Sequence, residues 1–308
     1  MKMSAALRLR IWARQVRAPF LLLSIALVPV GVACAWWEAG RFSPVGFALT
    51  LIGLLLAHIS VNLFNDYFDY KSGIDLNIGS RRTPFSGGSG VLPAGLLRAE
   101  DVYRLGLGTM LVAFGIGLYL TSISGLPLLP LILVGGVAIY FYTTHLARWG
   151  IGEMVAGLGL GVLPVLGSYF VQVGGYSPEA AVASLAPGFL TADLLLLNEF
   201  PDVEADRRGG RVHLVILLGR PRAAVVYTSL LAAAYLSIIG GVASGAMPLW
   251  CLLALLTLPM AWKAGRAALK YHSDLPRLVP GLAANVRTVL GTDLLLALGY
   301  LLSGILAR

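Results

Sequence analysis

Residues 45–75 read Val45-Gly46-Phe47-Ala48-Leu49-Thr50-Leu51-Ile52-Gly53-Leu54-Leu55-Leu56-Ala57-His58-Ile59-Ser60-Val61-Asn62-Leu63-Phe64-Asn65-Asp66-Tyr67-Phe68-Asp69-Tyr70-Lys71-Ser72-Gly73-Ile74-Asp75. No formal charge occurs from Val45 through Asn65, and about 20 apolar residues suffice for a helix to cross a bilayer. An acidic cluster follows at once. Asn65 and Asp69 are four apart and share a helix face, with Asn62 nearly on the same face. Gly73 is expected to break the helix, letting Asp75 fold back. A second apolar segment ends similarly, in Asn198-Glu199-Phe200-Pro201-Asp202-Val203-Glu204-Ala205-Asp206-Arg207-Arg208. There Asn198, Asp202 and Asp206 form an i, i+4, i+8 series, and Pro201 suggests a kink. Carboxylates near a bilayer are costly and need partners, such as a metal ion.

The rest of the chain fits the same reading. Of its 308 residues, 57% are hydrophobic and 12% charged, and the mean hydropathy is +0.81. Such values indicate an all-α polytopic membrane protein. Apolar segments fall near 18–37, 45–66, 102–121, 126–144, 152–173, 180–200, 222–242, 246–264 and 288–306, which makes nine transmembrane helices in one domain, 1–308. The basic N-terminus leads into a stretch longer than a signal-peptide core, so a retained first span is expected. Gly157, Gly159, Gly161 and Pro164 fall inside a span, where such residues permit close packing. Cys34 and Cys251 lie in apolar segments and read as small core residues.

With nine helices the connections alternate sides. The N-terminal tail and the loops 67–101, 145–151, 201–221 and 265–287 then share one side. Of 23 Lys and Arg residues, only Arg41 and Arg308 fall on the other. The positive-inside rule places the N-terminus and these loops in the cytoplasm, with loops 67–101 and 201–221 expected to cap a site there. The net charge of +8 is spread between apolar segments, which argues against nucleic-acid binding.

Clustered carboxylates and carboxamides suit Mg²⁺, which is usually held by one or two carboxylates plus substrate phosphates. His58, His145, His213 and His272 are scattered and no Cys/His cluster exists, which disfavours zinc. Lys71, Arg81 and Arg82 follow the first cluster, and Arg207, Arg208 and Arg211 the second. Mg²⁺ with Lys and Arg is a usual means of neutralising a diphosphate. Ser86-Gly87-Gly88-Ser89-Gly90 could add backbone N–H donors. Charges at helix ends often form only a solvated rim. Two clusters of matching spacing on one side, each followed by basic residues, favour a shared site instead.

The run from Asn62 to Asp75 resembles the UbiA superfamily of intramembrane prenyltransferases, in particular its MenA branch, which prenylates 1,4-dihydroxy-2-naphthoate. Asp202 through Arg211 and Leu218-Gly219-Arg220 are also similar, as are Tyr142-Thr143, Gly150-Ile151-Gly152-Glu153 and Gly167-Ser168-Tyr169. There are departures. Leu197 stands where the branch has a second Asn, Arg211 where it has Lys, and His213 where it has Thr.

The resemblance implies nine helices around a central cavity and transfer of a polyprenyl group from its diphosphate to an aromatic acceptor. Asn65, Asp69 and Asp75 would hold one Mg²⁺ and Asn198, Asp202 and Asp206 a second, with Asp69 and Asp202 essential to catalysis. Lys71, Arg82 and Arg211 would bind the diphosphate. Glu153 is a candidate to orient the acceptor or act as base, or it simply favours a helix N-terminus. Tyr140 and Tyr142 are candidates to stabilise an allylic cation, or they belong to an interfacial belt. Arg17 could meet an acceptor carboxylate, though an anchoring role suits it too. Asp193 and Asp293 are intramembrane acids, and His58 reads as a core residue. Acceptors other than the naphthoate are 4-hydroxybenzoate, homogentisate and a glycerol-phosphate lipid. The rival from another class is a secondary transporter, whose acids would lie nearer the membrane midplane.

Overall fold

The computed structural model describes residues 4–76 and 82–307; Arg81 and Arg308 lie outside them. No described residue is in a strand. A short N-terminal helix, α1 (Ala5–Gln15), precedes α2 (Ala18–Ala39), α3 (Pro44–Ser72), α4 (Ala99–Ser124), α5 (Leu126–Phe141), α6 (Gly152–Val173) and α7 (Pro178–Asn198). Two short helices follow, α8 (Val203–Arg208) and α9 (Leu214–Leu218), then α10 (Arg220–Ala243), α11 (Leu249–Tyr271) and α12 (Leu275–Leu306). Among the described residues eight helices are long and apolar enough to span a membrane, and α5 is a shorter apolar one. The protein is an all-α integral membrane protein.

Large apolar side chains such as Leu111, Val112, Leu133, Val134 and Val137 are exposed on α4 and α5, as expected of a surface solvated by lipid. The main apolar core lies elsewhere. It is built largely on α2, α7, α10, α11 and α12, where Leu27, Leu190, Tyr227, Ala254 and Leu296 have no exposure. In chain neighbours, α3 packs along α4; across the bundle α12 packs on α2, and α7 on α10.

The α6–α7 contact depends on small residues. A Cβ at Gly157 would lie 2.7 Å from the Gly188 carbonyl oxygen, and one at Gly161 would lie 2.7 Å from the Gly188 Cα. Such a spacing lets helix backbones approach closely. Directly after Gly157, α6 widens into a π-helical turn over Leu158–Val162, which includes Gly161. Thr191 Oγ1 donates to the Leu160 carbonyl at 3.1 Å, satisfying a group that has no water to turn to.

Two expected boundaries shift. Helix α3 runs to Ser72 rather than stopping near 66. Its 29 residues span about 44 Å, beyond a hydrocarbon layer of about 30 Å, so Asn65 and Asp69 sit on a projecting, still-helical end. The segment 265–287, expected as a loop, is helical except at 272–274. Its basic residues Arg266, Lys270 and Arg277 occupy exposed positions while Ala264, Ala267, Ala268 and Leu278 are buried, so a hydrophobicity window loses an amphipathic helix end that the backbone keeps.

Candidate active site

Gly73, at φ 81°, ends α3, and the Asp75 N–H returns to the Asp69 carbonyl at 3.3 Å. That fold-back brings the third acid of the first cluster beside the other two. In the second cluster α7 stops at Asn198, and Asp202 precedes the short α8, which carries Asp206. Asn65, Asp69, Asp75, Asn198, Asp202 and Asp206 all line one cavity of about 580 Å³. Its far wall includes Leu49, Leu120 and Leu128. Leu49 lies twenty residues before Asp69 on α3, about 30 Å along the helix, so the cavity runs from an acidic mouth deep into apolar surroundings.

Arg211 joins the two clusters. Its Nη2 donates to both carboxylate oxygens of Asp69, at 2.7 and 2.6 Å, and its Nη1 lies 3.5 Å from Asp206 Oδ1. Burial alone would lower the guanidinium pKa; Asp69 and Asp206 more than offset this and raise it. Burial, then the neighbouring Asp69 and Asp66, pushes the Asp75 carboxyl up to about 8. Burial and Asp206 push Asp202 up to about 7, opposed by the Gly87 N–H. Asp75 Oδ2, Asn198 Oδ1 and Asp202 Oδ1 are buried without a hydrogen-bond partner. Unpaired hard oxygen donors facing one cavity are what a Mg²⁺ ion requires.

The glycine-rich segment closes over this mouth. Gly87 N–H donates to Asp202 Oδ2 at 2.9 Å, and Ser89 N–H to Asp66 Oδ2 at 3.2 Å. Gly88 has φ 67°, and a Cβ there would lie 2.8 Å from Asp75 Oδ1, so the close approach requires glycine. The donors expected to face phosphate oxygens are thus aimed at carboxylates.

Asp66, which has no distinguishing spacing in the sequence, faces the N-terminal segment. It accepts from Gln15 Nε2 at 2.9 Å and pairs with Arg17, which also donates to Asn65 Oδ1 at 2.8 Å. Arg17 is the one non-glycine residue at positive φ among those described (53°), a turn between α1 and α2 that aims its side chain at α3. Arg14 Nε donates to the Ser89 carbonyl at 2.8 Å. The basic tail is therefore ordered against the site.

Four expected site residues lie outside the cavity wall. Lys71 is two residues past Asp69, about 200° around the helix, and turns outward to Glu100 (3.8 Å) and the Tyr67 ring. Arg82 lies along its own loop, against Gly90 and 3.5 Å from the Asp75 carbonyl. Tyr140 packs edge-on against Phe64 and Phe68, with its hydroxyl 3.2 Å from that of Tyr103. Tyr142, two residues on, lines the cavity instead. Glu153 is buried behind the wall, where Oε1 accepts from the Leu214 N–H at 2.7 Å. His58 lines the cavity and pairs with Ser24 Oγ at 2.9 Å. Asp193 and Asp293 are fully buried away from it.

The pattern of the UbiA prenyltransferase family matches residues 26–285. The chain belongs to this family. Two relatives are 1,4-dihydroxy-2-naphthoate octaprenyltransferases. The one from Bacillus subtilis (strain 168) is 27% identical over 83% of this chain and 81% of its own. The one from Escherichia coli (strain K12) is 28% identical over 96% of each. The fold is shared with a UbiA homolog from Aeropyrum pernix K1, at TM-score 0.72 and 17% identity, covering 92% of this chain and 98% of that one. It is shared too with a UbiA homolog from Archaeoglobus fulgidus bound to DMAPP and Mg²⁺, at TM-score 0.59 and 16% identity over 96% and 98%. As a UbiA-type prenyltransferase the chain is an enzyme, and the transporter reading is set aside.

Proposed function

We propose that this UbiA-type enzyme transfers a polyprenyl group from polyprenyl diphosphate to 1,4-dihydroxy-2-naphthoate, with Mg²⁺ as cofactor. The observation that carries the reading is the cavity itself: both acidic motifs and Arg211 at one end, and a long apolar interior at the other. The naphthoate acceptor is suggested by the names of the two bacterial relatives, and the diphosphate and Mg²⁺ by the DMAPP-bound neighbour.

Asn65, Asp69 and Asp75 would hold one Mg²⁺, and Asn198, Asp202 and Asp206 a second. Bound there, Mg²⁺ supplies positive charge against the diphosphate leaving group. Arg211 adds a fixed cation between the motifs. The C–O bond to the allylic carbon breaks with its electron pair going to diphosphate. The apolar wall would keep water from the resulting allylic cation, and the Tyr142 ring, which lines the cavity, would face it. The electron-rich acceptor carbon attacks, and carbon dioxide leaves in the naphthoate case (a proton with other acceptors). Positive-inside asymmetry supports a bacterial cytoplasmic membrane with the site open to the cytoplasm.

The test uses the full chain in lipid nanodiscs with Mg²⁺ and a polyprenyl diphosphate, offering the naphthoate, 4-hydroxybenzoate, homogentisate and a glycerol-phosphate lipid in turn. Diphosphate release and a decarboxylated prenyl product are expected with the naphthoate. Turnover confined to another acceptor would replace that substrate, and no release with any would end the reading.

A further inference from the structure

Beside the second acidic motif lies a donor set with no part in the prenyl-transfer reading; two of its members, Glu199 and His213, line the same cavity. Glu153 opens α6, Glu199 follows the last residue of α7, and His213 precedes α9. Ligand atoms of the three lie within 4.8 Å of one another. The histidines and cysteines are scattered in sequence, but the fold brings two glutamates to His213.

The imidazole is the telling group. His213 is 2% exposed, and neither ring nitrogen has a hydrogen-bond partner among the described residues. Nδ1 is 3.5 Å from Glu199 Oε2, and Nε2 is 3.4 Å from Asp206 Oδ2. Glu199 Oε2 is likewise buried without a partner. Separations of this size are long for hydrogen bonds. The Nδ1–Glu199 separation matches a shared ion: two donors each about 2.1 Å from a tetrahedral centre lie about 3.4 Å apart. Asp206 stands on the far nitrogen, in the place of the carboxylate that commonly orients a metal-bound histidine. The Leu214 N–H fixes Glu153 through Oε1.

We propose that Glu153, Glu199 and His213 form a separate binding site for a divalent transition-metal ion, Zn²⁺ being the probe of choice. One imidazole nitrogen with two carboxylates favours such an ion over Mg²⁺, which prefers oxygen throughout. The site would brace the start of α6, the end of α7 and the α8–α9 connection beside Asp206. It stands on donors separate from those assigned to prenyl transfer, so the two readings fail separately.

The experiment loads the full chain in nanodiscs with Zn²⁺ under excess Mg²⁺, which occupies all-oxygen positions. Retained zinc is then measured, and its X-ray absorption fine structure is examined for imidazole scattering. The expected result is retained Zn²⁺ with an imidazole signature. His213→Asn should lose that signature, and His213→Asn and Glu153→Gln should each weaken retention at least about tenfold. The Mg²⁺-induced thermal shift, read in parallel, reports whether each variant is folded. If one variant does not fold, the other carries the comparison. No retained zinc, zinc without imidazole scattering, or equal retention in a folded variant would overturn the proposal.

Discussion

Arg211 and Asp69 are 142 residues apart in sequence, yet one guanidinium nitrogen donates to both oxygens of that carboxylate, at 2.7 and 2.6 Å. The pair ties the projecting end of α3 to the segment after α8. It thereby fixes the distance between the two acidic motifs, since Asp206 lies 3.5 Å from the same guanidinium.

Removing that cation leaves two buried carboxylates facing each other. Arg211→Ala is expected to destabilise the protein by about 3–5 kcal/mol in the absence of divalent ions. Mg²⁺ should restore part of the loss, and the thermal shift it causes should exceed that of the parent. Arg211→Lys keeps the charge without the planar fork and should fall between the two. Thermal unfolding in nanodiscs with and without Mg²⁺ reads all three; an unchanged Tm for Arg211→Ala would show that the ion pair does not hold the motifs together.

Asp202→Asn separates charge from structure. A carboxamide oxygen can still accept from the Gly87 N–H, so the glycine-rich segment should stay in place. What is lost is one anionic oxygen now unpaired in the cavity. Turnover should drop by about 100-fold or more while the thermal midpoint stays close to the parent's. Near-normal turnover in a folded Asp202→Asn protein would refute the metal-binding role.

Much of this was legible in the sequence because apolar length and i, i+4 spacing are local signals. The nine apolar segments and the shared face of Asn65 and Asp69 are of that kind, and so is the stop at Gly73. Direction around a helix was less legible. Chemistry near a motif marks Lys71 as well as Asp69, and Tyr140 as well as Tyr142, but the members of each pair are about 200° apart around the helix and only Asp69 and Tyr142 line the cavity. Long-range pairing was not legible at all. Asp66 reads like its neighbours, and only the packed N-terminal segment shows that it belongs to Gln15, Arg17 and Ser89. His213 and the two glutamates beside it come from three separate parts of the chain, which no spacing rule connects.

The two tyrosines near the end of α5 give a direct test of facing. Tyr140→Phe keeps the ring packed on Phe64 and Phe68, removes a hydroxyl that meets Tyr103 outside the cavity wall, and should leave turnover within about twofold. Tyr142→Leu removes a ring from the cavity wall and should lower kcat by about 10-fold, consistent with about 1 kcal/mol or more from a ring near a cation. Steady-state kinetics on both variants decide it, and the reverse ranking would place the reacting carbon on the other face of α5.

Asp75 and Asp202 have folded pKa values of about 8 and about 7, above the ordinary carboxylate value of about 3.9. Between about pH 4 and those values the folded chain binds more protons than the unfolded one, so these two groups make it less stable as pH rises. Mg²⁺ binds the deprotonated form, so its stabilising effect has the opposite trend and grows as both groups ionise. The Mg²⁺-induced rise in Tm should therefore be small near about pH 6 and larger near about pH 8.5. Asp75→Asn should remove the upper part of that dependence and keep the part due to Asp202. Equal Mg²⁺-induced shifts at the two pH values would mean that neither carboxyl takes part in holding the ion.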